Sequence, residues 1–144
     1  MQALHHRPAA LPSWAAPAVV GATALVGCAV LAVVDPNRPG VYPSCPFRLA
    51  TGLDCPGCGT LRAVHALSGG DVLRALDHNL LTVLLLPVLV WGWAGWLAAS
   101  VGRRASVPQL SGTVGMGVAV AVSAFWVLRN LPVAGLSWLA SGAG

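Results

Sequence analysis

The residues of this 144-residue chain that can do chemistry gather in one stretch, where Cys45-Pro46 is followed by Cys55-Pro56-Gly57-Cys58-Gly59. Two cysteines separated by two residues can aim both sulfurs at one point, as a shared metal ion or a reversible disulfide requires. Structural zinc takes four ligands at about 2.0 to 2.3 Å, and Cys45 and His65 are the nearest residues able to complete a set with Cys55 and Cys58. The candidate metal site is therefore Cys45, Cys55, Cys58 and His65, with zinc as the candidate ion. His65 lies about two helical turns beyond Cys58, so it reaches the thiols only if the cysteine turn lies against its face of a helix. The rival chemistry is redox, with Cys55 and Cys58 as the catalytic pair, because amide dipoles at a helix start lower a thiol pKa. No alternation of strands and helices typical of a thioredoxin fold flanks the motif. A quinone-linked membrane oxidoreductase needs no such fold but usually uses a second cysteine pair, and Cys45 has only Cys28 to pair with. A structural disulfide, a structural metal and inert thiols stay open as further readings.

The elements that must position these residues are membrane helices. The chain is 56% hydrophobic and 8% charged, far from the quarter or so of charged residues in soluble domains. Uncharged apolar runs at 14–34, 80–101 and 110–128 each approach the length needed to cross a hydrocarbon core. The fold class is thus an all-α integral membrane protein, one domain over 1–144, with three spans and a cysteine loop at 35–79. Pro87 should kink the second span. Within the loop, Pro36, Pro39, Gly40, Pro43 and Pro46 predict an extended, turn-containing lead-in. Leu61, Val64 and Leu67 recur at helical spacing and Gly69-Gly70 ends that short helix; Asp71 is a good N-cap for another, with Val72, Leu73, Ala75 and Leu76 on its apolar face. The apolar tail at 131–140 is about half a span and reads as interfacial or folded back. Trp14, Trp93 and Trp96 fall toward one membrane face and Trp126 and Trp138 toward the other. Ala24, Cys28 and Ala32, and Gly117 with Ala121, offer small faces for close helix contact, and Cys28 is expected to be buried in the first helix.

Other polar groups have candidate roles around the loop. Arg62 can pair with Asp54 and brace the cysteine turn, although an exposed Arg on an amphipathic helix is the commoner case; with alternating spans, Arg129 and Asn130 end the third span on the loop's side, where Arg129 either snorkels to the interface or contacts the loop. His78-Asn79 stands at the entrance of the second span, a capping or interfacial position. No Gly-X-Ser-X-Gly elbow and no phosphate-binding glycine loop ending in Lys-Ser or Lys-Thr occurs. All eight basic side chains are Arg and all four acidic ones are Asp, giving a net charge of +4. Scattered between apolar runs, the Arg residues suit anionic headgroups and argue against nucleic acid. The expected partners are the lipid bilayer and a membrane protein or a second copy of the chain, in the cell membrane.

Orientation and processing have competing readings. Arg38, Arg48, Arg62, Arg74 and Arg129 on the loop side outnumber Arg7, Arg103 and Arg104 on the other, favouring a cytoplasmic loop, although the short Arg103-Arg104 turn is itself an inside signal. Arg7, the apolar run after it and Leu25-Val26-Gly27-Cys28 also match a lipoprotein signal with Cys28 lipidated, but the chain stays apolar through Val34 where cleaved lipoproteins turn polar.

The string Cys45-Pro46-Phe47-Arg48, then Thr51-Gly52-Leu53-Asp54-Cys55-Pro56-Gly57-Cys58-Gly59-Thr60-Leu61-Arg62-Ala63, followed by Gly70-Asp71 and His78-Asn79, resembles the bacterial membrane family named domain of unknown function 2752. Arg129-Asn130 is similar to that family's closing motif. Two departures are local: Leu61 stands where a threonine is common and Leu80 where a proline often follows the asparagine. The resemblance implies a small multipass membrane protein and supplies no activity.

Overall fold

The structure is a computed structural model and describes residues 12–104, 111–133 and 138–140. It is all-helical, with α1 (Ala15–Val33), α2 (Pro46–Thr51), α3 (Thr60–Ser68), α4 (Val72–Ser100) and α5 (Gly112–Arg129). Among the described residues, α1, α4 and α5 are long and apolar enough to cross a membrane. The cysteines and the short helices α2 and α3 lie between α1 and α4. Leu110, part of the tail at 131–140, and Arg7 of the signal-like amino end lie outside the described residues.

Each short element has a local cause. Helix α1 stops where the Asp35 carboxylate accepts from the Asn37 backbone N–H at 2.8 Å and from its side-chain amide at 2.7 Å, a turn that competes with helix continuation. The lead-in is not extended throughout, as its prolines suggest. Pro46 occupies the first turn of α2, where a missing N–H has no helical partner to lose, and α2 ends at Gly52 in the left-handed region (φ 73°). Helix α3 ends at Gly69, and the Asp71 carboxylate then caps α4 by accepting from the Arg74 amide at 2.9 Å.

The long α4 is two helices joined at Asn79, whose extended backbone (φ −163°, ψ 98°) interrupts the helical dihedrals. The Asn79 side-chain oxygen accepts from the Thr82 amide at 2.9 Å, the geometry of an N-cap. The apolar span therefore begins at Leu80, after a short helix capped by Asp71. Pro87 lies inside α4, and the residue there with non-helical dihedrals is Asn79.

Helices α3 and α4 meet through Ala63, Ala66 and Ala75, with Leu67 and Val83 closing over them. Alanine leaves the two backbones close enough for the Gly69-Gly70 turn to join them. Antiparallel α1 and α4 are joined differently. The Trp93 indole N–H donates to the Pro17 carbonyl at 2.9 Å, and the Ser13 hydroxyl donates to the Ser100 carbonyl at 2.7 Å, at the carboxyl end of α4. The Trp93 ring covers Gly21. Trp93 is thus a helix-to-helix contact.

The small-residue faces that would permit close packing are not buried within the chain. Ala24, Cys28 and Ala32 are exposed on α1, as are Gly117 and Ala121 on α5, and Cys28 is an exposed free thiol rather than a buried one. The reason lies in where the helices approach: α1 buries Pro17 and Gly21 near its amino end, and α5 buries Phe125 and Arg129 near its carboxyl end.

A Cβ at Gly21 would sit 2.3 Å from the Trp93 ring, whereas Gly27, on the same helix, has nothing within 4 Å. Gly21→Val should destabilise the folded chain by about 1–3 kcal/mol, as overpacking does. Gly27→Val, measured beside it by thermal unfolding in detergent, should change little.

Candidate functional site

The site begins as a turn. The Cys58 amide donates to the Cys55 carbonyl at 3.1 Å, and Gly59, with φ 85°, leads from the turn into α3. Returning across it, the Cys55 amide donates to the Cys58 sulfur at 3.2 Å. Cys45, at the start of α2, comes from the other side. The Cys55 and Cys58 sulfurs are 3.1 Å apart and those of Cys45 and Cys55 3.6 Å apart. All three sulfurs lie within 4.8 Å of one another, forming the potential metal-ligating cluster among the described residues.

This convergence is enforced by three residues remote in sequence, one at the break in α4 and two at the carboxyl end of α5. The Arg129 guanidinium, at the end of α5, donates to the carbonyls of Cys55 (2.9 Å), Pro56 (3.3 Å) and Cys58 (3.2 Å). The Asn79 side-chain amide donates to Pro56 (2.9 Å) and Cys58 (3.0 Å) from the break in α4. Asn130 fixes the preceding residue with a paired bond: it accepts from the Asp54 amide at 2.8 Å and donates to the Asp54 carbonyl at 2.9 Å. Arg129 and Asn79 are almost wholly buried, at 3% and 1% exposure. A turn whose carbonyls point inward would otherwise leave several acceptors unpaired, each costing about 1–3 kcal/mol.

Asp54 supplies the counter-charge. Its carboxylate accepts from Arg48 at 2.6 Å and lies 3.9 Å from Arg129. Asp54 forms ion pairs with Arg48 and Arg129. Arg48 is one of the residues missed from sequence, and its signal is its place in a helix started by Pro46 directly after Cys45. Phe47 in that helix meets Trp126 of α5 edge-on, centroids 5.8 Å apart, while the Arg129 guanidinium lies 4.9 Å from the Phe125 ring centroid. The end of α5 is thus held by polar bonds flanked by aromatic contacts.

His65, the candidate fourth ligand, is not brought to the thiols. Its Nδ1 donates to the Leu31 carbonyl at 2.6 Å, and its Nε2 is 3.6 Å from the Asp35 carboxylate. A carbonyl can only accept, which places a proton on Nδ1. The ring satisfies one of the last carbonyls of α1, which has no helical donor. Thr60, beside the departure at Leu61, shares a hydroxyl contact with Thr82 at 2.9 Å across α3 and α4.

The three thiols sit in unlike environments. Burial, reinforced by the Cys55 thiol, pushes the Cys58 pKa up to about 12, because the thiolate loses its hydration there. The Arg48 amide in the first turn of α2 is the largest influence on Cys45 and holds its thiol below the ordinary range. With metal removed by chelator, iodoacetamide at pH 8 should therefore modify Cys45 well before Cys58. The Cys58 rate should climb about tenfold per pH unit through the alkaline range, since only its thiolate reacts. Site-resolved mass spectrometry checks both. Arg129→Ala should destabilise the chain by about 3 kcal/mol or more and expose Cys58 to modification, because it strands buried acceptors and half an ion pair.

Neither a curated protein nor a solved structure matches the chain. A family does: residues 45–93, from the first cysteine of the cluster to the tryptophan that covers Gly21, match the model described as protein of unknown function (DUF2752). That segment supplies the cysteines, Asp54 and Asn79, while Arg129 and Asn130 reach the site from outside it. From Cys45 to Trp93, then, the chain carries a DUF2752 region.

Proposed function

We propose that the chain is a multipass protein of the cell membrane whose cysteine loop is a metal-binding module, with Cys45, Cys55 and Cys58 holding a divalent ion such as zinc. The observation that carries this reading is the convergence of three sulfurs beside a buried guanidinium. Tetrahedral bonds of about 2.3 Å place neighbouring sulfurs about 3.8 Å apart, near the 3.6 Å between Cys45 and Cys55, while Cys55 and Cys58, at 3.1 Å, would move slightly apart around an ion.

Charge supports the same reading. Asp54 is flanked by Arg48 and by the buried Arg129, so guanidinium charge lies close to the cysteine turn. Three thiolates on a divalent ion carry one negative charge, which nearby guanidinium groups favour. The Cys55 amide bond to the Cys58 sulfur suits a thiolate better than a thiol. A bound ion also answers the burial of Cys58, because a coordinated thiol is deprotonated outright. His65 lies outside this ligand set, with its Nδ1 committed to α1.

A thiol–disulfide oxidoreductase is the second reading, favoured by the 3.1 Å approach of Cys55 and Cys58. It leaves Cys45 without a role and makes the more buried thiol of the pair the harder one to ionise.

Intact mass of the detergent-purified chain, taken under native and then denaturing conditions, separates these. The metal module requires one divalent ion per chain, lost on denaturation, and absent after Cys45→Ser, Cys55→Ser or Cys58→Ser while His65→Ala keeps it. Arg129→Lys should weaken the ion by about 10- to 100-fold, since an ammonium cannot span the carbonyls that the guanidinium holds. A metal-free chain two hydrogens lighter, restored by reductant, would replace the metal module with the redox reading.

A further inference from the structure

The depth of the cysteine turn in a bilayer follows from α5. Eighteen residues of helix rise about 27 Å against a hydrocarbon core of about 30 Å, so both ends of α5 lie close to the edges of that core when it spans. Trp126 stands one turn before the carboxyl end, about 4.5 Å inside it, and Phe47 of α2 rests edge-on against its ring. Asn130, the residue that caps α5, holds the Asp54 backbone by both its N–H and its carbonyl. Arg129 gives the same level. A basic side chain that ends a span ordinarily extends to the headgroups, but this guanidinium is wholly buried against the carbonyls of Cys55, Pro56 and Cys58. The turn comes to the end of the span, and the side chain does not leave for water.

Helix α2 is tied to that level along its whole length. It has six residues, about 9 Å of helix, so none of it rises far from Trp126. Yet Leu49 in α2 is 75% exposed, and Leu53, the residue before Asp54, is 44% exposed. Trp126, which joins α2 to α5, is itself partly exposed, as are Val127 and Leu128 after it. The apolar surface of a span therefore passes onto α2 without a polar break at their contact. At this depth the medium that covers it is lipid, and a tryptophan at the junction suits the interface.

We propose that α2 is an interfacial helix that docks on the bilayer, with Leu49 and Leu53 seated among the outer acyl carbons and the cysteine turn standing at headgroup depth. This rests on the membrane reading above and is independent of whether the thiols hold a metal. Cys45 and Cys55 flank α2 in sequence, and both line, with Cys58, one groove of about 670 Å³. A ligand of the thiols then meets them at the lipid surface.

The test uses the full chain, with methyl-labelled leucine, in nanodiscs whose lipid carries a nitroxide either near the headgroup or near the acyl terminus; a third set has a gadolinium chelate in the water. Leu49→Ile and Leu53→Ile, which conserve volume, assign the two sets of methyl signals. Leu84, 59% exposed on α4, is the reference for a lipid-facing span. Nitroxide lipids that leave Leu84 unbroadened overturn the membrane reading and this proposal with it. With Leu84 broadened, stronger broadening of Leu49 and Leu53 by the shallow nitroxide than by the deep one, and little by gadolinium, supports the interfacial helix. Gadolinium acting alone puts the loop in water and overturns the proposal while the membrane reading stands. Broadening by none of the three means that protein, a second copy or another chain, covers α2, and overturns it equally.

Discussion

The structure depends on one constraint, that the carbonyls of the cysteine turn point into the protein and must be met by donors there. Arg129 and Asn79 meet them, one from the end of α5 and the other from a break in α4. A guanidinium is suited to this task because it presents five N–H groups in a fixed fork and cannot be deprotonated. Its burial has an electrostatic cost that Asp54 offsets in part, and Asp54 is itself held through its backbone by Asn130. Turn, acid and basic residue therefore form one interdependent unit, in which losing a member leaves the others buried and unpaired.

This unit also explains the lopsided contacts of the long helices. Helix α5 buries Phe125 and Arg129 and leaves most of its apolar length exposed. Polar bonds at one end locate it, and apolar matching along its length does little. Where lipid replaces water around a helix, little hydrophobic force drives two such helices together, and hydrogen bonds or close small-residue contacts must do so. Helices α1 and α4 show the second device, with Trp93 seated on Gly21 and its indole bonded to the Pro17 carbonyl.

The interruption of α4 at Asn79 serves both the fold and the site. Its side-chain oxygen caps the apolar half of the helix while its amide holds the cysteine turn, so a single residue fixes where the long apolar stretch starts and how the thiols are presented. A continuous helix through Asn79 would leave that amide without a defined direction. His65 is positioned by the same economy at the end of α1, where it completes a helix terminus and is unavailable to the thiols.

Much of this was legible in the sequence. Length and charge placement determined the three apolar helices, because each charged residue sets a limit on a run that must do without water. Cysteine spacing determined that Cys55 and Cys58 share a turn, and Asp71 and Gly69-Gly70 marked helix ends through backbone requirements that act over a few residues. Local rules also misled where a neighbour outweighed them. Pro46 reads as part of an extended lead-in but starts α2; Cys28 reads as a small buried residue of the first helix, yet it is exposed and Gly21 makes the close contact. Only the tertiary structure decided that Cys45 joins the pair and His65 does not, and that Arg48 and Arg129 both reach Asp54. Those pairings cross as many as 75 positions of chain, from Asp54 to Arg129, and depend on which helix ends meet in space. Residue spacing carries that information only within a turn or two of helix, since beyond that the direction of a side chain is set by the packing of other elements.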